Sequence, residues 1–318
     1  MTSTTAPFPD AGALTGVGPA PTPAARRARL RSLLTDPATG PLVLPGVTDA
    51  LGARLVESAG FEAAYATGAG LANAQFGIPD IGLLSLGEVV AHTDRIASAT
   101  SLPLVVDADT GFGGPVTAMR AVRMLERAGA AAIQLEDQEM PKRCGHFDSH
   151  TLIPAEHMTA KLVAVRQALE DPATVIVART DARGVLGIDE AIRRASRYAG
   201  AGADVLFVEA PRTVEELERV GRELAGIPLV VNVVEGGKTP QLTLDEYAGL
   251  GFRVVLHANF LLRAVIRAGT DALAHLRETG ETATYADRIA TWQERQDLFH
   301  LPEFSAAQAH FDAVGVRS

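Results

Sequence analysis

The chain has 318 residues, of which 47% are hydrophobic and 21% charged, and its net charge is −9. These fractions are typical of a globular protein, and an acidic chain without a basic stripe is not a general nucleic-acid-binding protein. No apolar run approaches the roughly 20 residues that span a bilayer, and the N-terminus lacks the basic and apolar regions of a signal peptide. We therefore expect a cytoplasmic protein that binds neither nucleic acid nor membranes.

Two segments precede the first apolar run. Residues 1–24 are rich in Pro, Ala, Thr and Gly, and such a composition buries too little apolar surface to order the chain, so we predict a disordered tail. Ala24 to Leu34 interleaves arginines with leucines and predicts a first helix. No linker divides the rest of the chain, so residues 25–318 are predicted to form a single barrel domain with a C-terminal helical extension after about residue 265.

Eight short apolar runs alternate with helical stretches such as 116–127 and 188–198. The runs are Leu42–Leu44, Ala63–Ala66, Leu104–Val106, Ala131–Leu135, Thr174–Ala178, Val205–Val208, Leu229–Val231 and Val254–Leu256. Near-continuous apolar strands that alternate with helices indicate an α/β protein with a parallel sheet covered on both faces. Eight of them favour a closed (β/α)8 barrel of the TIM type. An open doubly wound sheet is the alternative, although it usually has fewer strands and a glycine-rich first turn.

Polar residues close six consecutive predicted strands. Strands three to eight end in Asp107 and Asp109, Glu136 and Asp137, Arg179 and Asp181, Glu209, Asn232 and Glu235, and His257 and Asn259. In such a barrel the chemistry lies at the carboxyl ends of the strands. A single carboxylate there often has a structural role. Six polar strand ends in succession are less easily explained by structural roles alone, because buried unpaired charge is costly. We therefore predict the active site at this end.

Three of these side chains have the chemistry of a metal site. Asp107, Asp109 and Glu136 are hard oxygen donors on neighbouring strands, as Mg²⁺ prefers, and Mn²⁺ is the alternative ion. The other interpretation is an acidic rim neutralised by arginines. Zinc is not expected, because the single cysteine has no second sulfur or histidine pair at ligand spacing.

Two further features indicate a carboxylate ligand. The guanidinium of Arg179 can hold a carboxylate through two hydrogen bonds, so we expect a substrate anchor; a structural bridge to Glu136 or Glu209 is the alternative. The turn from Tyr65 to Gly70 has small residues whose backbone N–H groups can cradle an anion, although a Gly-x-Gly turn alone is common.

Cys144 is the only cysteine of the chain, so it cannot form an internal disulfide. It follows Lys142 and Arg143 and precedes Gly145 and His146. Basic neighbours lower the pKa of a thiol and favour reactivity. An inert buried cysteine is the alternative, but that would normally lie in an apolar run.

These motifs resemble those of the isocitrate lyase/phosphoenolpyruvate mutase superfamily, from roughly residue 40 to residue 300. The matching segments are Asp107-Ala-Asp-Thr-Gly-Phe-Gly113, Glu136-Asp-Gln138, Lys142-Arg-Cys-Gly-His146, Ala178-Arg-Thr-Asp-Ala182 and Asn232-Val-Val-Glu-Gly-Gly-Lys-Thr-Pro240. The resemblance implies a (β/α)8 barrel in a homotetramer, a dimer of dimers whose last helix is swapped between subunits. Its lyase members use the cysteine of the Lys-Arg-Cys-Gly-His loop as a catalytic acid.

The resemblance also implies a role for individual residues. Asp107 and Asp109 would hold Mg²⁺, with Glu136 bound to its waters, and Tyr65 is the candidate base. Lys142, Cys144, Gly145 and His146 would lie on a mobile loop that closes over the ligand. The substrate would contact Thr67, Gly68, Ala69, Gly145, Arg179, Glu209 and Asn232, and Asp80 falls on another active-site position.

The lyase branch that the chain resembles most cleaves 2-methylisocitrate to pyruvate and succinate by retro-aldol chemistry. Arg263 and Arg295 match arginines that grip the extra carboxylates of a tricarboxylate. The segment Val233-Val-Glu-Gly-Gly237 instead resembles relatives that act on smaller acids, and His257-Ala-Asn259 differs from the stretch common in 2-methylisocitrate lyases. The alternatives are therefore a dimethylmalate or alkylmalate lyase, an oxaloacetate hydrolase and a carboxyphosphonoenolpyruvate phosphonomutase. The expected partner is a small carboxylate, and a non-enzymatic binding protein is the remaining alternative.

Overall fold

A computed structural model describes residues 21–36, 39–142 and 150–315. Residues 22–266 form one compact unit, and the residues from Arg267 onward belong to a second. None of the helices within the described ranges is long and apolar enough to cross a membrane. Residues 1–20 of the predicted tail lie outside the described residues. Its last residues, Pro23 and Ala24, are helical, so the predicted boundary at residue 24 is wrong: proline is favoured in the first turn of a helix.

Eight parallel strands form a closed barrel in the order β1 to β8. They are β1 Leu42–Val47, β2 Ala64–Ala66, β3 Leu104–Asp107, β4 Ala132–Glu136, β5 Val175–Thr180, β6 Val205–Val208, β7 Leu229–Asn232 and β8 Phe252–His257. The last strand closes on the first, with Leu42 opposite Val254 and Pro45 opposite His257. The predicted TIM-type barrel is confirmed, and the open sheet is excluded.

Helices surround the barrel and connect its strands. They are α1 Pro23–Thr35, α2 Ala50–Ser58, α3 Gly68–Phe76, α4 Leu86–Ala99, α5 Pro115–Arg127, α6 Ala155–Ala168, α7 Ala182–Leu186, α8 Ile188–Gly200, α9 Val214–Glu223 and α10 Leu244–Gly249. Local sequence sets their ends: Ser85 and Glu88 form a capping box at the start of α4. Gly129 follows α5 with φ +101° and passes close to α4, where an added Cβ would lie 2.7 Å from the Cβ of Ala97.

The core has two layers. One lies between the outer face of the barrel and the helices, with residues such as Ile133, Leu162 and Leu206. The other fills the barrel interior, where Tyr65 and Phe207 pack with apolar side chains from the strands. Both layers follow from the alternation of side chains along each strand.

Helix α1 closes the amino-terminal end of the barrel. Its Leu30, Leu33 and Leu34 are buried with the interior residues. Arg27 donates to the backbone oxygen atoms of Ala130 at 3.2 Å and Glu126 at 2.6 Å, just before β4. The arginine side chain thus donates hydrogen bonds to backbone carbonyls at the end of α5 and before β4, while the leucines pack into the end of the barrel.

The remaining elements are α11 Phe260–Thr279, a 3-10 turn at Ala283–Arg288, α12 Trp292–Leu298 and α13 Leu301–Gly315. Helix α11 has no buried residue, and Val265 and Ile266 are each 55% exposed. The exchange of the last helix between subunits stays a prediction.

Candidate active site

A cavity of about 400 Å³ opens at the carboxyl ends of the strands. Its walls are Tyr65, Thr67, Ala69, Asp80, Asp107, Glu136, Lys142, Arg179, Glu209, Asn232, Val234, Glu235, Gly236, Gly237, Leu256, Ala258, Asn259 and Arg263. The residues that close six strands therefore meet in one place, where a barrel carries its chemistry.

Helix α3 begins at the edge of this cavity. The hydroxyl of Thr67 caps the helix by accepting a hydrogen bond from the Gly70 N–H at 3.3 Å. The Gly68 N–H donates to Asp107 Oδ2 at 3.4 Å. A Cβ on Gly68 would lie 3.2 Å from the same oxygen, so glycine allows the backbone to approach the carboxylate. The predicted anion cradle is the start of α3, whose partial positive charge faces acidic side chains.

The loop after β3 places two carboxylates side by side. Asp107 Oδ1 accepts from the Asp109 N–H at 3.1 Å and from the Gln134 amide at 3.4 Å. Asp109 has a left-handed backbone, with φ +48°, which is uncommon for a residue other than glycine. Burial raises the pKa of Asp109 to about 6, although Lys142 opposes this rise.

Lys142 lies between the cavity and Asp109. Its ammonium is 2.6 Å from Asp80 Oδ1 and 2.8 Å from Asp109 Oδ1. Burial alone would lower the pKa of Lys142, but the surrounding carboxylates, Asp109 foremost, raise it above its ordinary value. Lys142 is therefore a cation, and it borders the cavity whereas Asp109 does not.

Arg179, on β5, is surrounded by carboxylates. Asp181 holds its guanidinium through two hydrogen bonds, at 2.7 and 3.0 Å. The guanidinium also lies 3.5 Å from Glu136 and 3.6 Å from Glu209, and 5.3 Å from the ring centre of Phe207. The expected bridges to Glu136 and Glu209 are present, but the shortest contact is to Asp181. These contacts fix the plane of a cation that borders the cavity.

Tyr65, at the centre of β2, is 2% exposed and borders the cavity. Burial and the nearby Asp107 raise the pKa of its phenol, while Arg179 lowers it. Without a bound cation, Tyr65 is therefore a neutral hydrogen-bond donor, and a base role needs additional positive charge beside it.

Three buried oxygen atoms on residues of the described cavity wall lack a hydrogen-bond donor. Within the described residues, Glu136 Oε1, Asn232 Oδ1 and Asn259 Oδ1 are buried without a hydrogen-bond partner, and all three residues border the cavity. Across the same part of the chain, no three His, Cys, Asp or Glu side chains converge on one ion. Of these three residues only Glu136 belongs to the predicted metal set, together with Asp107 and Asp109. A site with so few carboxylates fits Mg²⁺, which keeps several of its waters, better than a fully enclosed ion.

The structure brings most of the predicted site residues together, and a few lie elsewhere. Gly68 and Asp109 lie directly behind the cavity wall, in contact with Asp107 and Lys142 respectively. Arg295 belongs to the C-terminal unit, where its guanidinium stacks 5.4 Å from the Trp292 ring. Cys144, Gly145 and His146 lie outside the described residues.

Sequence reasoning missed two parts of the wall. Leu256 and Ala258 form an apolar surface beside the site, and both had the ordinary appearance of strand residues. Glu235 holds Arg263, with its carboxylate at 3.0 Å and its backbone oxygen at 2.9 Å from the guanidinium. Polar spacing along the chain gives no signal for this pair, because it joins the loop after β7 to α11.

Comparison with known proteins agrees with this architecture. The sequence model of the phosphoenolpyruvate phosphomutase family matches residues 30–277. The chain is 43% identical over 273 residues to the petal death protein of Dianthus caryophyllus, covering 86% of each chain. It is 41% identical over 268 residues to a 2-methylisocitrate lyase of Aeropyrum pernix, covering 84% of this chain and 86% of the relative.

Solved structures of related enzymes also superpose on this chain. A crystal structure of 2,3-dimethylmalate lyase superposes with a TM-score of 0.84 at 34% identity, covering 90% of this chain and 95% of the other. A phosphonopyruvate hydrolase in complex with oxalate and Mg²⁺ superposes with a TM-score of 0.80 at 30% identity, covering 89% and 98%. The chain therefore belongs to the phosphoenolpyruvate mutase/isocitrate lyase superfamily and is an enzyme of its lyase and mutase class.

Proposed function

We propose that the protein is a Mg²⁺-dependent carbon–carbon lyase that cleaves 2-methylisocitrate to pyruvate and succinate. The observation that carries this proposal is the set of buried carboxylates beside Arg179 at the barrel mouth, where Glu136 has a buried oxygen without a hydrogen-bond donor among the described residues. Asp107 and Asp109 would hold the ion, and Glu136 would bind its waters. When bound, Mg²⁺ supplies positive charge to the oxygen atoms of the 2-hydroxy acid as negative charge develops on them.

The residues of the chain supply the remaining steps. Arg179 and the N–H groups at the start of α3 bind the carboxylate of the 2-hydroxy acid portion. Tyr65 in its phenolate form, which the positive charges of Arg179 and of a bound Mg²⁺ would favour, accepts the hydroxyl proton. The O–H electrons then form the new C=O bond, and the C2–C3 bond breaks. The electron pair of that bond passes to the succinate portion, where the Cys144 thiol donates a proton to the carbanion. Lys142 and His146 stabilise the negative charge that forms there.

A dialkylmalate such as 2,3-dimethylmalate is the second candidate substrate. One guanidinium nitrogen of Arg263 is already bound to Glu235, and this neighbouring carboxylate weakens the attraction of Arg263 for a third substrate carboxylate. The neighbouring wall is apolar, with Val234, Leu256 and Ala258, and suits methyl groups. The 2,3-dimethylmalate lyase of Eubacterium barkeri is 39% identical over 284 residues, which supports this candidate equally.

An assay panel with Mg²⁺ tests the proposal: 2-methylisocitrate, isocitrate, 2,3-dimethylmalate, oxaloacetate and phosphonopyruvate. We expect 2-methylisocitrate to give pyruvate and succinate with the highest kcat/KM, and chelation of the metal to stop the reaction. Preference for dimethylmalate would support the second candidate. Phosphoryl migration without carbon–carbon cleavage, followed by phosphorus NMR, would refute both.

The proton-donor role is tested by Cys144→Ser. We expect turnover to fall by at least roughly a hundredfold, while oxalate with Mg²⁺ still raises the melting temperature, because the thiol is not needed for binding. Unchanged turnover would remove Cys144 from the mechanism.

We also propose a homotetramer in which α11 packs on a neighbouring barrel. Helix α11 buries none of its residues within one chain. An apolar cavity of about 470 Å³ lies on the outside of the barrel unit, with Val43, Leu55 and Phe61 among its walls. Light scattering should give four times the chain mass of 33.4 kDa, and Ile266→Glu should lower it. A wild-type monomer at micromolar concentration would contradict this assembly.

A further inference from the structure

Lys142 stands out among the cations of the cavity. The chain contains three lysines, Lys142, Lys161 and Lys238. Lys142 is 5% exposed, and its ammonium touches one oxygen of Asp80 and one of Asp109. The Lys161 ammonium instead donates to the backbone oxygen of Thr110.

The other two cations in the wall are held by different carboxylates. Arg179 is bound to Asp181 and lies near Glu136 and Glu209. Arg263 is bound to Glu235. Lys142 therefore provides the positive charge that faces Asp109, a carboxylate proposed to hold the ion.

Lys142 lies at the cavity wall in contact with Asp109. Lys142 borders the cavity, whereas Asp109 lies behind it and is 6% exposed. Because the ammonium lies 2.8 Å from Asp109 Oδ1, a divalent cation bound to the same oxygen would lie against a like charge, which is unfavourable. Asp80, on the loop between α3 and α4, gives the ammonium a second carboxylate to which it can remain bound.

We propose that Lys142 is an internal counter-ion that competes with the divalent cation for Asp109 and keeps only its bond to Asp80 when the cation is bound. This inference rests on the cation of the proposed function. A tethered ammonium has a high local concentration at its partner, so it lowers the apparent affinity for the cation. Because coupling is reciprocal, bound cation weakens the Lys142–Asp109 contact by the same factor.

The first test measures cation affinity without substrate, by Mn²⁺ electron paramagnetic resonance and by Mg²⁺ calorimetry. Lys142→Met keeps an unbranched side chain only one atom shorter and removes its charge. We expect it to bind the cation about tenfold more tightly than the wild type, within the usual range of such couplings. Lys238→Met makes the same chemical change outside the cavity wall and should leave the affinity within about twofold.

The second test follows the ammonium directly and uses the wild-type protein. With three lysines, ¹⁵N NMR of the side-chain Nζ groups is well resolved, and the signal that is missing in Lys142→Met belongs to Lys142. Mg²⁺ should shift that signal at the concentrations that saturate the site and leave the Lys161 and Lys238 signals in place. If Lys142→Met fails to fold, Lys142→Arg can assign the signal, because it also removes the Lys142 ammonium. The NMR measurement on the wild-type protein then still tests the proposal.

The outcomes separate the two proposals. Equal affinity of the wild type and Lys142→Met, or a Lys142 signal that does not respond to bound Mg²⁺, refutes the competition and leaves the Mg²⁺-dependent lyase standing. Absence of cation binding in both proteins refutes the Mg²⁺ dependence itself, and the competition falls with it.

Discussion

Replacement of Asp137 by alanine should strongly destabilise the barrel unit. Asp137 directly follows β4 and has no exposed surface. Its carboxylate accepts hydrogen bonds from the Thr180 hydroxyl at 2.7 Å, the Asp181 N–H at 3.0 Å, the Arg194 guanidinium at 3.0 Å and the Tyr198 hydroxyl at 2.8 Å. It thus ties the end of β5 to α8.

The magnitude depends on the groups that the substitution leaves unpaired. Arg194 is 7% exposed and loses its ion pair with Asp137, although it keeps the one with Glu190 at 2.8 Å. The cost is therefore expected at the lower end of the about 3–5 kcal/mol for removal of one partner of a buried pair. The hydroxyl of Tyr198 also loses its acceptor, and a buried donor left unpaired costs about 1–3 kcal/mol. These terms overlap, so we expect the free energy of unfolding to fall by about 4 kcal/mol.

Urea unfolding followed by circular dichroism measures this loss. Glu156→Ala is the matched control, because its pair with Arg197 is largely exposed, at 63% and 37%, and should contribute less than about 1 kcal/mol. The double variant Asp137→Ala/Arg194→Met removes both charges and should recover at least about 1 kcal/mol relative to Asp137→Ala. A single-variant loss no larger than that of Glu156→Ala would refute the reasoning.

Three further variants test other features. Burial lowers the pKa of His92 to about 4. The neutral imidazole therefore contributes fully to the free energy of unfolding above its unfolded pKa of about 6.5, and this contribution is lost as the pH falls from there toward 4. His92→Phe should reduce the dependence of the free energy of unfolding on pH, by at most roughly 1.4 kcal/mol per pH unit, in urea unfolding at pH 7, 6 and 5. Gly46→Ala would place a Cβ 1.9 Å from the Ala258 backbone oxygen and should cost about 2 kcal/mol, seen as a lower melting temperature. Arg179→Lys loses the two-bond geometry and should raise KM about tenfold or more in steady-state assays.

The sequence alone predicts most of the barrel. Alternation of apolar runs and helical stretches identifies all eight strands, because both faces of a parallel strand are covered. The observed strands extend one residue past several of these runs, so β3 ends at Asp107, β4 at Glu136 and β7 at Asn232. Each polar residue remains paired with its neighbouring strand, which is why the strand ends converge on one cavity.

Contacts between distant loops account for the features that the sequence does not predict. The bond between Lys142 and Asp80 joins residues from two different loops, and no periodic pattern relates them. Asp181 was noted as a polar strand end, yet its two bonds to Arg179 depend on a side-chain rotamer that only packing fixes. The sequence position of a residue at a strand end thus predicts that it belongs to the site, whereas its hydrogen-bond and ion-pair partners are known only from the folded structure.

The closure of the barrel by α1 has a consequence for biosynthesis. The hydrogen bonds of Arg26 and Arg27 reach residues 71 and 103 positions later, and Arg253 reaches back 220 positions to the Leu33 carbonyl. Contacts of such long sequence separation form late. During translation α1 is therefore made before all of its partners, and nascent chains would display Leu30, Leu33 and Leu34 to chaperones until the final strand emerges from the ribosome.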